Sequence, residues 1–199
     1  NTSPATGIYN AGLYLDHQYV STGGFTKFLN NVFVNSKGGP AMFVNYTPEH
    51  VFMDYNLYYT PGTITVKKGP TGGSFNKDYN SLNEYRNDWG IEMNSIFAEP
   101  VFTSIDNLSP VLDNNKNWAL QGRGIQIAGN TADKLGNVRS ETLTAGVPDL
   151  GAFEFHPTVV PPVLTATPAT PVAGQRQAFS FGTDTVAVIN WAAGYNVPT

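Results

Sequence analysis

The stretch VFMDYNLYY, Val51–Tyr59, repeats the character of KFLNNVFV, Lys27–Val34, about 25 residues after it. Each run joins apolar, aromatic or β-branched residues across an asparagine. A repeat of this length is typical of one coil of a stacked β-solenoid. Because asparagine tolerates left-handed backbone angles and stacked amides hydrogen-bond along an axis, the repeat also predicts an amide ladder at the turn between strands.

A second type of strand lies between the two runs. Ala41–Val44 is bounded by glycine, proline and asparagine, and Ala11–Leu15 is its counterpart one coil earlier. Together the strands predict a parallel β-helix, an all-β fold, whose last coils occupy residues 1–60. One continuous core is expected, formed by Val32, Phe33 or its neighbour, Met42, Val44, Phe52 and Leu57. The alternative is two unrelated strands of a β-sandwich that share asparagine by chance.

The composition favours an extracellular β-rich protein. Charged residues make up 13% of the chain, against about 25% in an average domain. A net charge of -4 without basic clusters argues against partners such as nucleic acid or an anionic membrane surface. The lack of cysteine excludes a disulfide scaffold and thiolate-bound zinc. No apolar stretch is long enough to predict membrane insertion, and the chain is expected to be a segment of a longer protein.

Residues 61–156 are expected to close the stack. Thr63–Val66 lies among several glycines, which predicts a lateral loop or edge ribbon. Ser81 and Glu84 have the spacing of a capping box, which predicts a short helix that ends at Gly90. The apolar face of this helix is expected to comprise Leu82, Tyr85 and Trp89.

The last part of the chain changes character. Residues 157–171 are rich in proline and predict a linker, and residues 172–199 predict a β tail or the start of a further module. Its strand-like runs, Gln177–Phe181 and Thr185–Ile189, are too few to bury a core. The tail is therefore expected to pair with an edge of the closing segment, another copy of the chain or a partner protein. The expected anchors are Val186, Val188 and Trp191.

Five segments of the chain occur in a characteristic order. They are Asp54–Tyr59, Trp89–Gly90, Asn94–Phe102, Asp133–Arg139 and Pro148–Phe155. The last contains the motif Asp-hydrophobic-Gly-Ala-aromatic-Glu. This order resembles the C-terminal end of secreted bacterial right-handed parallel β-helix proteins, over about residues 7–155. Such ends occur on polysaccharide lyases, glycoside hydrolases and surface adhesins alike.

The resemblance implies the C-terminal part of an extracellular or cell-surface β-helix protein that binds or acts on polysaccharide. An enzyme of this kind would be a polysaccharide lyase or glycoside hydrolase with its active site mostly outside this segment. The alternative is a non-catalytic adhesin or structural protein, in which the solenoid is a spacer and the tail leads to an anchor or partner. A phage-type tailspike would need trimerisation surfaces that the sequence does not identify.

The candidate catalytic residues are His17, Lys27 and His50. In β-helix lyases, as the resemblance implies, a Lys, Arg or His takes the proton next to a carboxylate, and Ca²⁺ or basic residues hold the acidic sugar. His17 follows a strand, where an imidazole titrates near neutral pH. The competing interpretation is an ordinary turn residue. The carboxylates lack the spacing of a calcium loop, so no cofactor is predicted, and Ca²⁺ stays open as a ligand that the sequence does not indicate.

Tyrosines are the candidate substrate-binding residues, because a flat apolar ring with a polar edge stacks on a sugar. They are Tyr14, Tyr19, Tyr55 and Tyr59. The competing interpretation buries such rings in the core or under the helix. In the resembled proteins the region of Asp133, Arg139 and Asp149 closes the stack, and an arginine fork can hold two loops through a carboxylate. These three residues are therefore predicted to be structural.

Overall fold

The computed structural model describes residues 10–15, 26–45, 51–69, 77–140 and 146–160, and the backbone of three strands between 164 and 190. The chain divides into two compact units, Asn1–Thr158 and Val159–Thr199. The strands of the first unit are β1 Leu13–Leu15, β2 Thr26–Leu29, β3 Val32–Val34, β4 Met42–Val44, β5 Val51–Asp54, β6 Leu57–Tyr59, β7 Val66–Lys68, β8 Lys77–Tyr79 and β9 Ile96–Phe97. Its helices are α1, Leu82–Trp89, and a 3₁₀ helix, Asn115–Ala119.

Parallel sheets dominate the first unit. The first sheet joins β1, β4 and β7, the second joins β2 and β5, and the third joins β3, β6 and β9. Every pairing among these strands is parallel. Each sheet thus takes its strands from successive segments of the chain. The predicted all-β class is confirmed at this level: the described residues form mostly strands in parallel sheets, with one α-helix.

The strand register repeats at the predicted spacing. Phe28 lies opposite Met53, and Val32 lies opposite Leu57. A hydrogen bond joins Asn31 to Asn56 across the same interval of 25 residues. Because side chains alternate between the two faces of a strand, this register places residues with the same orientation above one another. The sequence repeat therefore reflects the parallel pairing of equivalent strands.

The first hydrophobic cluster is built by one face of all three parallel sheets. Met42, Met53 and Tyr58 are each no more than 1% exposed. Burial of a large apolar side chain contributes about 1.5–3 kcal/mol. The assignment of Phe52 to this core is wrong, since Phe52 is 49% exposed while its neighbours Val51 and Met53 are buried. Adjacent strand residues point to opposite faces, and three consecutive apolar residues hide which of them points inward.

A second hydrophobic cluster covers the other face of the third sheet. Its buried members are Leu57, Leu120 and Leu150, and Val32, Ile96 and Phe155 pack against it. The predicted single core is therefore divided in two. Phe33 and Tyr58 face the first cluster, while Val32 and Leu57 face the second. A parallel sheet buried on both faces reads as a continuous apolar run, which is why the sequence did not separate the two clusters.

The segment after residue 60 continues the parallel arrangement. Strand β7 pairs parallel with β4 and antiparallel with β8. The prediction of a lateral loop around Thr63–Val66 is wrong for Val66. This residue is fully buried and begins β7. The sheet ends at β8 with Lys77 and Asp78, both exposed. Charged residues on an edge strand discourage further pairing.

The predicted helix is confirmed together with its caps. Ser81 Oγ accepts from the N–H of Glu84 at 3.2 Å, and Glu84 Oε2 accepts from the N–H of Asn80 at 2.9 Å. Gly90 ends the helix with φ 65°, a left-handed angle that glycine adopts without strain. Three residues of the helix join the first cluster, namely Leu82, Tyr85 and Trp89. It therefore covers the core beside β8.

The second unit contains an antiparallel sheet. Its strands, in spatial order, are β10 Leu164–Thr167, β11 Arg176–Phe181 and β12 Asp184–Asn190. The sequence predicts a linker at 157–171, but part of this range forms β10, which pairs with β11. The two predicted tail runs lie in β11 and β12, which pair with each other. Their backbone groups thus find partners within the unit. Val186 and Val188 lie on β12, and Trp191 lies outside the described residues.

Met53→Ala and Phe52→Ala test which face of β5 is buried. Met53→Ala is expected to lower the free energy of unfolding by about 2–5 kcal/mol, because it leaves a cavity in the first cluster. Phe52→Ala, its neighbour on the exposed face, is expected to cost less than about 1 kcal/mol. Urea unfolding followed by tryptophan fluorescence measures both. Equal losses, or a larger loss for Phe52→Ala, would contradict the assignment.

Candidate functional site

The structure describes one of the three predicted catalytic candidates, Lys27. His17 and His50 lie outside the described residues, as does the candidate Tyr19. Lys27 is exposed on β2, opposite Phe52 of β5. It forms no ion pair with another described residue. The part of the chain that the structure describes therefore gives Lys27 no acid or base with which to act.

The turn between the second and third sheets contains the predicted amide ladder. Asn56 Oδ1 accepts from the backbone N–H of Asn31 at 3.0 Å and from Asn31 Nδ2 at 3.2 Å. Asn56 Nδ2 donates to the carbonyl of Phe28 at 2.9 Å. The N–H of Asn56 donates to Ser95 Oγ at 2.8 Å, so a serine takes the next position. The ladder is confirmed, and Asn56 lies at its centre with no exposed surface.

Two residues beside this ladder have left-handed backbones. Asn30 has φ 59° and Tyr55, the equivalent residue 25 positions later, has φ 54°. The Asn30 side chain donates to the carbonyl of Ile125 at 2.7 Å and accepts from its N–H at 2.8 Å. Tyr55 is a candidate for substrate binding, yet its backbone angle costs about 1–2 kcal/mol for an ordinary residue. The main role of Tyr55 in the fold is therefore to form this turn.

A buried carboxylate that the sequence did not reveal lies against the ladder. Glu92 is fully buried and has φ 59°. Its carboxylate accepts from Tyr58 Oη at 2.5 Å, from Ser95 Oγ, and from Asn56 Nδ2 at 3.3 Å. Burial raises the pKa of Glu92, and these three hydrogen bonds oppose the shift. In the sequence Glu92 follows Gly90 in an ordinary turn, so no local signal marks it.

The surroundings of Glu92 indicate a structural role. A group without exposed surface cannot reach a reactant, and this one satisfies three buried donors. Arg86 fastens the same loop, with Nε donating to the Glu92 carbonyl at 2.7 Å and Nη2 donating to the Ser95 carbonyl at 2.5 Å. Burial, followed by the charge of Glu92, holds the pKa of Tyr58 well above its usual value. Tyr58 is therefore a neutral donor to the carboxylate.

Arg139 and Asp149, predicted to be structural, meet at Glu154. Arg139 Nε lies 2.9 Å from Glu154 Oε1, and Nη2 donates to the Gly151 carbonyl at 3.0 Å. The N–H of Asp149 faces both Glu154 oxygens at 3.2 Å. Burial, followed by the charge of Asp149, raises the pKa of Glu154, while Arg139 opposes this. The guanidinium thus joins residue 139 to the segment 151–154 through both a carboxylate and a carbonyl.

Asp133 holds the neighbouring turn. Its Oδ1 accepts from the N–H groups of Leu135 and Asn137, each at 2.8 Å. Its Oδ2 accepts from the N–H of Glu154 at 2.8 Å and from Asn137 Nδ2 at 2.9 Å. Although desolvation opposes ionisation, these bonds lower the pKa of Asp133 to about 2. Its stabilising contribution is therefore present above about pH 4 and is lost as the pH falls toward 2.

Tyr59 is half-buried against the second hydrophobic cluster and lies beside exposed side chains at the end of the third sheet. Its ring lies 5.9 Å from that of Phe97, and Phe97 is 44% exposed. Lys116 Nζ donates to Glu99 Oε2, and both side chains are about half exposed. Burial, followed by the charge of Glu99, raises the pKa of Tyr59. These residues, Tyr59, Phe97, Glu99 and Lys116, are hereafter the aromatic patch.

The remaining described tyrosine candidate lies on the first sheet. Tyr14 stacks on Phe43, with ring centroids 5.2 Å apart and an interplanar angle of 18°. Tyr14 is half-buried and Phe43 is buried. One face of the Tyr14 ring is therefore already occupied. Among the tyrosine candidates that the structure describes, Tyr59 has the surroundings that best suit a ligand, because it lies beside an exposed ring and an exposed ion pair.

The pH dependence of stability tests the buried carboxylate. A raised pKa in the fold gives a contribution that is complete below the unfolded value of about 4.3 and is lost as the pH rises through the folded value. The free energy of unfolding of the native chain relative to Glu92→Gln should therefore fall as the pH rises from about 4 toward neutrality. Urea unfolding across this range measures it, with Glu84→Gln on the exposed side of α1 as the control. A difference that is constant or that grows with pH would contradict the assignment.

Neither a cluster of metal ligands nor a membrane-spanning helix occurs among the described residues. No group of three or more histidine, aspartate or glutamate side chains is placed to hold a metal ion. No described helix combines the length and apolar character needed to cross a membrane. Comparison with known proteins adds no relative: no protein-family model matches the chain, and no curated protein or solved structure does so.

Proposed function

We propose that the first unit is the end of a right-handed parallel β-helix, at the C-terminal part of a secreted or cell-surface protein. The three parallel sheets with a common repeat and the amide ladder at one turn support this architecture. Crossover connections between parallel strands are almost always right-handed, which supports the hand. The antiparallel strand β8 and helix α1 then serve as the cover of the stack.

We further propose that the protein binds extracellular polysaccharide through the aromatic patch. The observation that carries this proposal is the exposed ring of Phe97 against the half-buried ring of Tyr59, beside a carboxylate and an ammonium group. A sugar ring has apolar C–H faces and hydroxyl groups around its rim. Aromatic rings take up the faces, and charged groups exchange hydrogen bonds with the hydroxyls.

Binding is favoured over catalysis by the placement of the described carboxylates. Glycoside hydrolysis needs two carboxyl groups about 5–9 Å apart with access to the sugar. Glu92 has no exposed surface, and Asp149 is 2% exposed and accepts two backbone hydrogen bonds. Glu99 is about half exposed and forms an ion pair with Lys116, which stabilises its charged form. These groups are better suited to holding the fold or a ligand than to proton transfer.

One observation favours the alternative function, a non-catalytic adhesin that captures a protein. Strand β12, Asp184–Asn190, is seven residues long and pairs with β11 on one side only among the described residues. An edge strand offers a row of backbone donors and acceptors to an added strand. In this function the first unit is a spacer and the second unit is the contact surface.

Two phenylalanine substitutions test polysaccharide binding. Phe97→Ser removes the exposed ring of the aromatic patch and is expected to weaken binding about tenfold, or about 1.4 kcal/mol. Phe52→Ser is the matched control, because Phe52 is similarly exposed at 49% but makes no ring contact with another described residue. Affinity electrophoresis in gels that contain a panel of plant and microbial polysaccharides measures the change. Binding that both substitutions weaken alike, or no binding at all, would contradict the proposal.

A further inference from the structure

The charges of the aromatic patch are already matched. Lys116 Nζ donates to Glu99 Oε2, which raises the pKa of the Lys116 ammonium group. Burial, followed by the charge of the same carboxylate, raises the pKa of the Tyr59 hydroxyl. At neutral pH the patch therefore presents one negative charge, one positive charge and a neutral phenol. Its own net charge is zero.

The ion pair between Glu99 and Lys116 balances the two charges, but both side chains keep hydrogen-bonding groups that the pair does not use. A carboxylate has about four acceptor sites and an ammonium group has three donors, so the bond between Glu99 and Lys116 uses a small part of each. Both side chains remain about half exposed. Sugar hydroxyl groups both donate and accept, which lets them bridge the two side chains. A uronate carboxylate can only accept, and it would lie beside the carboxylate of Glu99.

Several other basic groups of the described residues are similarly paired, whereas Lys27 is exposed and forms no ion pair with another described residue. Ion pairs join Lys67 to Asp78, Lys77 to Asp88 and Arg139 to Glu154. Lys68 Nζ lies 3.6 Å from the centre of the Trp89 ring. The whole chain carries a net charge of -4. A polyanion approaching this protein therefore meets a field of its own sign.

We propose that the aromatic patch selects a neutral polysaccharide and rejects polyuronates, with the carboxylate of Glu99 as the discriminating group. This inference rests on the proposed polysaccharide binding and specifies its ligand class. The rings of Tyr59 and Phe97 hold the apolar faces of the sugar. The pair formed by Glu99 and Lys116 exchanges hydrogen bonds with the hydroxyl groups and offers no unpaired cation to a carboxylate.

The test compares neutral and acidic polymers on the full chain. The probes are galactan, xylan and a mixed-linkage β-glucan, against polygalacturonate and alginate. The native chain is expected to bind at least one neutral polymer with an affinity that changes little between low and high salt, because no counterions are released. Its affinity for polygalacturonate should be at least about tenfold weaker, which corresponds to about 1.4 kcal/mol.

A charge variant identifies the discriminating group. Glu99→Gln frees Lys116 and should gain binding to polygalacturonate that high salt abolishes, while its affinity for the neutral polymer changes less than about threefold. Asp88→Asn is the matched control, because it frees Lys77 from an exposed ion pair outside the patch and should gain no such binding. Failure of Glu99→Gln to gain binding, or equal gains in both variants, would overturn the role of Glu99.

The outcomes separate the inference from the function on which it rests. A native chain that binds polygalacturonate more tightly than every neutral polymer would overturn the neutral ligand class and leave polysaccharide binding intact. A native chain that binds no polymer of either class would overturn both. Loss of neutral binding in Phe97→Ser, together with the gain in Glu99→Gln, would establish both at the same surface.

Discussion

The hydrogen bonds between Asn31 and Asn56 set the register on which the rest of the structure depends. Both amides lie at a turn, and Asn56 has no exposed surface. A slip of one residue would leave its amide without partners, at a cost of about 1–3 kcal/mol, and would turn Met53 and Phe52 to the wrong faces. The chain must therefore return to the same turn after 25 residues. Sheet pairing and the two hydrophobic clusters follow from that return.

The buried carboxylate is a consequence of ending this ladder. Strand β8 and helix α1 lie between β7 and β9, and they lengthen the interval from Asn56 to the next ladder residue, Ser95, to 39 residues. A serine hydroxyl lacks the reach and the second group of an amide. Glu92 supplies the missing acceptor, since it receives Asn56 Nδ2, Ser95 Oγ and Tyr58 Oη. Burial raises the pKa of Glu92, because the ionised carboxylate loses hydration at this end of the ladder.

Local patterns predicted the features that depend on local chemistry. The asparagine turn and the capping box of Ser81 and Glu84 could be predicted from the sequence. The capping box acts within a few residues, and the asparagine turn repeats along the chain. The exposure of Phe52 could not be predicted, because three successive apolar residues show no alternation between polar and apolar positions. Glu92 and its partner Tyr58 lie 34 residues apart, and their bond depends on the insertion between them. The aromatic patch likewise joins residues from β6, β9 and the 3₁₀ helix, so only Tyr59 was visible as a candidate.

Cross-linking of in-register neighbours tests the parallel stack most directly. The chain has no cysteine, so pairs can be introduced without interference. Lys27 and Phe52 are both exposed and lie opposite each other in β2 and β5, and neighbouring strands are about 4.8 Å apart, within the span of a disulfide. The variant K27C/F52C is expected to form a disulfide rapidly under mild oxidation. T26C/F52C should not, because Thr26 pairs with Val51 and faces the other side of the sheet. Failure of the first pair, or equal cross-linking of both, would contradict the register.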